Sequence, residues 1–171
     1  MIWPTTNSRL FLGEGALSLH ETAYGDGRRI AGRAAELADI GGFQAGFGLR
    51  ASDADRDLPD HICAELELCS ALLVKLAYAG ELGWKPKRNV TRRALKAFLE
   101  DHLGRWCGAL ATQIRDRARA GPYRELAHAL ETLVRLELKR AGARPRVFGS
   151  ALSHDFMQEE SFACPREAVP T

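Results

Sequence analysis

Apolar residues recur at steps of three and four positions through four long stretches of the chain, the spacing of one face of an α-helix. The first predicted helix runs from Arg28 to Gly46 or Gly48. The apolar seam of the second starts at Ile62, and the glycines near Gly83 end this helix. Because its apolar seam is wide, this second helix is predicted to be the central one.

The third predicted helix begins at Thr91, a residue type that can cap a helix, and continues to about Ala120. Residues 84–88, Trp-Lys-Pro-Lys-Arg, are expected to form a basic loop before it. The Gly121-Pro122 pair ends this helix and opens a fourth, which fades at Gly142. No stretch alternates apolar and polar residues over the length of a strand, so the pattern predicts an all-α helical bundle.

Three regions follow from these boundaries. Residues 1–27 contain glycines and a proline without a sustained period, and we expect an irregular lead-in there. Residues 28–142 form the helical core, in which residues 50–57 are a solvated linker. Residues 143–171 turn to proline, serine and mixed charge, which indicates a mobile C-terminal tail.

Composition narrows the class of protein. With 171 residues, 46% of them hydrophobic, the chain can bury the core of one domain, and a net charge of +2 does not suggest nucleic acid as a partner. The four cysteines lack Cys-x-x-Cys spacing, which indicates reduced, mostly buried thiols and a cytoplasmic location. The sequence shows neither an export signal nor an apolar run long enough to span a membrane, so no membrane partner is predicted.

The turn before the second helix, Asp57-Leu58-Pro59-Asp60-His61, concentrates the candidate chemistry. Asp57 is predicted to cap the helix, Pro59 to lie in its first turn, and Asp60 to interact with the positive end of the helix dipole. His61 has no such structural role, because a charged histidine is unfavourable in a first turn. This makes His61 the candidate functional residue of the turn.

Two kinds of enzyme site are the alternatives to a purely structural role for these residues. Glu125 and His128 have the Glu-x-x-His spacing of di-iron bundles, but no second copy exists in the chain, so we predict neither a metal nor a cofactor. Asp60, His61 and Glu65, together with His102, could act in acid–base catalysis, yet no nucleophile or oxyanion motif accompanies them. No catalytic residue is therefore predicted.

The order of several blocks resembles the TorD/DmsD/NarJ family of chaperones. Beside Asp57 to His61 and Glu65-Leu66-Glu67-Leu68-Cys69, the similar blocks include residues 37–43, 98–106 and 122–123 and the lead-in segment 21–25. The similarity runs from about His20 to Glu137. It looks closest to the chaperones of enzymes for dimethyl sulfide, selenate, chlorate or ethylbenzene. In this chain Asp57 stands where the family usually has glutamate, and Pro59 comes one residue later.

The resemblance implies a cytoplasmic, all-helical chaperone that matures a molybdopterin-dependent oxidoreductase. Its partners would be the apo catalytic subunit and the twin-arginine signal peptide of that enzyme, held until the cofactor is inserted before export. The alternatives are a metal-binding helical enzyme and a plain helical interaction module. The residues implied in client binding or in a hinge are Asp57, Pro59, Asp60, His61, Glu65, Phe43, Phe47, His102 and Trp106.

The front of the chain differs from the family, whose members usually have further helices before the region of Tyr24. Either the gene start is placed late, or another copy supplies the first helices. The second alternative implies a homodimer, because apolar faces left uncovered favour association.

Overall fold

The computed structural model describes residues 10–13, 15–25, 30–49, 58–118 and 120–148. For residues 30 and 31 it describes the backbone only. Most of these residues lie in α-helices, which confirms the predicted all-α class. None of the described helices is long and apolar enough to cross a membrane. The helices are α1 (Ile30–Gly46), α2 (Ile62–Glu81), α3 (Lys85–Asp101), α4 (Leu103–Arg117) and α5 (Pro122–Ala141).

The most enclosed helix is α4, and not α2 as the apolar pattern predicted. Nine of the residues of α4 are buried, whereas α2 buries six and leaves Val74 and Tyr78 exposed. Helix α5 packs mainly on α4, and α2 packs mainly on α3. The core therefore forms around Trp106, Leu110 and Ile114 of α4.

The predicted basic loop at residues 84–88 is wrong, because α3 already begins at Lys85. Gly83 adopts a positive φ of 64° where α2 has ended, and Pro86 occupies the first turn of α3, where a missing amide costs nothing. Thr91 is therefore no cap. Its hydroxyl donates a hydrogen bond to the carbonyl oxygen of Lys87, one helical turn earlier.

The predicted single helix from Thr91 to Ala120 is also wrong, since the chain breaks at His102 (φ −128°, ψ −101°). The break brings α4 against the end of α3 at Gly104. A Cβ atom on Gly104 would lie 2.3 Å from the carbonyl oxygen of Leu99 and 3.0 Å from Leu138. Only glycine fits this close approach.

Other boundaries agree with the glycine and proline positions. Helix α1 ends at Gly46, and α5 runs from Pro122 to a C-terminal cap at Gly142, whose φ of 62° is left-handed.

The predicted buried thiols are confirmed for Cys69 and Cys107, where burial raises each pKa to about 12. Cys63 is exposed.

The lead-in contributes to the core. Leu10, Leu17 and Tyr24 are buried, and a 3-10 helix spans Glu21–Ala23. The predicted division into three regions stays a prediction, and residues 149–171 of the tail lie outside the described residues.

We expect Gly104→Ala to lower the free energy of unfolding by about 2–4 kcal/mol, because the new Cβ overlaps a backbone oxygen that cannot move independently. Gly108→Ala is the matched control on the same helix, since nothing lies within 4 Å of its Cβ position. It should raise stability by about 0.5–1 kcal/mol. Urea unfolding followed by circular dichroism measures both, and equal values for the two variants would contradict the close-packing role of Gly104.

Candidate functional site

The cap of α2 is His61, whose Nδ1 accepts a hydrogen bond from the amide of Cys63 at 3.3 Å. The helix therefore starts later than the prediction that placed Pro59 in its first turn; Pro59 lies in the turn before the helix. Asp57, the predicted cap, lies outside the described residues. His61 thus has the structural role that the sequence did not reveal.

Asp60 ties this turn to the lead-in. Its fully buried carboxylate accepts hydrogen bonds from the Thr22 hydroxyl at 2.6 Å and the Thr22 amide at 3.3 Å, and it pairs with His20 Nδ1 at 3.0 Å. Burial alone raises the pKa of Asp60, but the hydrogen bonds from Thr22 and His20 outweigh burial and lower it. The carboxylate is therefore ionised at neutral pH.

Backbone hydrogen bonds reinforce the same junction. The amide of Glu21 donates to the carbonyl oxygen of Asp60, and the amide of Ile62 donates to that of Leu19, both at 2.9 Å. The rings of His20 and His61 also meet edge to face, 5.1 Å apart. The lead-in is thus attached to the start of α2 through main chain and side chains together.

Glu65, one turn into α2, is fully buried against Trp106, whose indole Nε1 donates to Glu65 Oε2 at 3.1 Å. Burial first, and the nearby charge of Glu21 second, raise the pKa of Glu65 well above its usual range. Two buried carboxylates so near each other repel when both are charged. Glu65 therefore holds a proton at neutral pH, and this proton relieves the repulsion.

His102 connects the lead-in to α1 at the break between α3 and α4. Its Nδ1 lies 3.0 Å from Glu21 Oε2, and its Nε2 lies 3.1 Å from Asp39 Oδ2. Burial lowers the pKa of His102, but the hydrogen bonds and charges of Glu21 and Asp39 outweigh burial and raise it. Both ring nitrogens face carboxylates, so the charged imidazolium is the form that satisfies them. Phe43 packs edge to face on this ring.

The structure brings four of the predicted site residues, Asp60, Glu65, His102 and Trp106, into one buried polar cluster. None is more than 2% exposed. Asp60 and Glu65 therefore do not line an open groove. Sequence reasoning missed the other members as site residues, because they lie in a segment without periodicity; the block at residues 21–25 contained only Glu21 and Thr22. His20 lies at the partly exposed edge of the cluster. The full cluster is His20, Glu21, Thr22, Asp60, Glu65, His102 and Trp106.

Metal chemistry finds no support in the part of the chain that the structure describes. No group of three or more histidine, cysteine or acidic side chains there could hold an ion. Glu125 and His128 both lie exposed on α5. The cluster can hold elements of the fold together, but its buried atoms offer no access to a substrate.

Two surface cavities border different stretches of α3, one along its first half and one along its second. The first, here called the leucine groove, is a cavity of about 330 Å³ between α2, α3, α4 and α5. It is lined by Leu66, Cys69, Ser70, Leu73, Leu95, Leu99, Leu103, Leu133, Val134 and Glu137. The second, here called the cationic pocket, measures about 520 Å³ and includes the predicted residue Phe47. Its other lining residues are Lys75, Tyr78, Ala79, Trp84, Pro86, Lys87, Val90 and Thr91.

Comparison with known proteins adds an independent finding. Residues 7–112 match the family described as the nitrate reductase delta subunit. The selenate reductase assembly chaperone protein of Thauera selenatis is 29% identical over 137 residues, which cover 80% of this chain and 67% of that protein. No solved structure matches the chain.

We expect Glu65→Gln to make stability less dependent on pH between pH 5 and 8. The folded protein retains a proton on Glu65 that the unfolded chain releases near the usual pKa of 4.5, so rising pH above that value costs the wild type stability. The variant lacks this loss, and its amide oxygen can still accept from Trp106. Relative to wild type, it should gain about 1 kcal/mol or more between pH 5 and 8.

Urea unfolding at a series of pH values measures this difference. His102, whose raised pKa also makes folding less favourable as pH rises, is present in both proteins and cancels. Glu67→Gln, an exposed position on the same helix, is the control and should follow the wild-type profile. Parallel profiles for Glu65→Gln and wild type would show that Glu65 is ionised in the folded protein.

Proposed function

The chain belongs to the nitrate reductase delta subunit family of molybdoenzyme maturation chaperones, and we propose that it assists assembly of one molybdopterin-dependent oxidoreductase. It acts by binding the apo catalytic subunit and not by catalysis. The family match carries this proposal, since residues 7–112 include every member of the buried polar cluster. The similarity to a selenate reductase assembly chaperone supports a client of that class.

The finer proposal is that the leucine groove receives the twin-arginine signal peptide of the client in the cytoplasm, before export. Such a peptide joins two arginines to an apolar stretch, and helical apolar segments dock into grooves lined by apolar side chains. The lining of the leucine groove is apolar apart from Ser70 and Glu137, and Glu137 supplies a carboxylate that the exposed Arg140 pairs with at 2.7 Å and that an arginine of the peptide would take over. The cationic pocket is the poorer candidate, because Lys75 and Lys87 would repel the arginines.

Exposed leucines enlarge the apolar surface beside the groove. Leu133 lines the groove and is 51% exposed, and Leu126 and Leu136 are also exposed on α5. An apolar surface of this kind favours association with another molecule. The same surface supports a homodimer in the absence of client, with the signal peptide competing for it.

Within this function Asp60 and His61 are positioning residues. Asp60 attaches the lead-in to the start of α2, and His61 caps that helix four residues after the predicted linker at residues 50–57. Pro59 lies in the turn that precedes them, and Phe43 and His102 fix α1 at the other side of the cluster. The cluster would hold the helices that border the groove in one arrangement, and a change at the linker would alter it.

We expect Leu133→Lys to weaken binding of a fluorescein-labelled peptide that carries two consecutive arginines and an apolar stretch by at least about tenfold. The substitution removes an apolar contact in the groove and places a positive charge beside the arginines. Fluorescence anisotropy of the full chain with this peptide measures the affinity.

Leu126→Lys is the matched control, because Leu126 is exposed on the same helix but does not line the groove. It should change the affinity less than about threefold. The Asp60→Ala, His61→Ala double variant should also weaken binding, through loss of the junction. Equal affinities for the two lysine variants would rule out the leucine groove as the peptide site, whereas the family assignment would stand.

A further inference from the structure

The cationic pocket has the features of a binding site that the proposed function leaves unused. Trp84 and Tyr78 pack edge to face with ring centres 5.8 Å apart, and Lys87 Nζ lies 4.0 Å from the centre of the Trp84 ring. Trp84 is 42% exposed, and Val90 beside it is 52% exposed. Apolar walls thus stand next to two exposed ammonium groups, those of Lys75 and Lys87.

The charge around this pocket is strongly one-sided, although the whole chain is nearly neutral. Residues 85–99 of α3 contain six lysines and arginines and no acidic residue. Between Ser70 and the cap of α2 at Leu82 there is one acidic residue, Glu81. Residues 44–49, at the end of α1 and just after it, contain no acidic residue. An occupant of this site should therefore carry negative charge together with apolar side chains.

A segment of the same chain has this chemistry. Residues 149–171, which lie outside the described residues, contain four acidic residues and one arginine. Apolar side chains are interspersed among the acids. We propose that this C-terminal segment docks in the cationic pocket of its own chain, with Phe156 or Met157 against Trp84 and with Glu159 and Glu160 near the lysines.

The described part of the chain anchors the start of the segment beside α1 and α4. The amide of Phe148 donates to the carbonyl oxygen of Arg105 at 2.8 Å, and the Arg105 guanidinium lies 4.2 Å from the centre of the Phe148 ring. Arg105 also pairs with Glu36 of α1 at 3.7 Å. Phe148 is therefore anchored where the first half of α1 meets the start of α4, and the opposite end of α1 reaches the pocket through Phe47.

The length of the segment is sufficient. From Asp101 back to Lys87, α3 spans about 21 Å, at ~1.5 Å for each residue. The eight residues after Phe148 reach about 26 Å when extended, more than this stretch of α3, so a segment that follows α3 would bring Phe156 to the pocket. The following acids then lie beside Lys75 and Lys87. Docking would cover the exposed faces of Trp84 and Val90.

Photo-crosslinking in the 171-residue chain tests this proposal. Phe156 is replaced by p-benzoylphenylalanine, and equal amounts of unlabelled and 15N-labelled chain are mixed before irradiation. We expect mass spectrometry to find position 156 joined to residues between 75 and 91. Both cross-linked peptides should carry the same nitrogen isotope, which shows that the cross-link formed within one chain. The yield should fall at least about fivefold in 0.5 M salt, because the attraction is between exposed charges.

Charge reversal supplies the matched controls. Lys75→Glu with Lys87→Glu should reduce this cross-link at least about fivefold, whereas Arg92→Glu with Arg93→Glu makes the same change of charge outside the pocket lining and should reduce it less than about twofold. Adding Glu159→Lys and Glu160→Lys to the first pair should restore it. The proposal is overturned by absence of the cross-link, by cross-links to other surfaces or between differently labelled chains, or by equal effects of the two reversals.

Discussion

The buried carboxylate of Asp60 is the contact on which the arrangement of the described chain depends. It accepts two hydrogen bonds from Thr22 and pairs with His20, so a segment without regular structure is fixed against the start of α2. A buried charge is costly unless it is paired and hydrogen-bonded, and here both conditions are met. Separation of the lead-in from the turn before α2 would leave a buried charge without partners. The two segments therefore stay in contact.

The rest of the buried polar cluster extends this junction across the fold. Glu21 follows His20 directly and reaches His102 at the break between α3 and α4, while Glu65 and Trp106 connect α2 to α4. Buried carboxyl groups add little stability on balance, since desolvation offsets much of their attraction. Their directional contacts instead select one relative position for the lead-in, α2 and the α3–α4 break. For a chaperone, such a network provides a defined arrangement after the predicted linker, with the leucine groove following further along α2.

Sequence patterns predicted the elements whose limits are set locally. Glycine and proline end or begin helices by their own backbone geometry, which is why the ends of α1 and α5 agree with expectation. The break at His102 was not predictable in this way, because the apolar stripe of Leu95, Phe98 and Leu103 continues across it. Its cause is tertiary: His102 contacts Glu21, 81 positions earlier in the chain. Asp60 is a second case of a tertiary cause. The sequence predicted an interaction with the dipole of its own helix, whereas its actual partners lie in the lead-in, far away along the chain.

Hydrogen–deuterium exchange of the Glu21 and Ile62 amides tests the junction most directly. Both donate across it, to the carbonyl oxygens of Asp60 and Leu19. If the lead-in is fixed to α2 as described, their protection should lie within about tenfold of that of the Leu110 amide in α4, since these amides would open only when the core opens. Exchange as rapid as that of Ala16, in the turn at the front of the lead-in, would contradict the account.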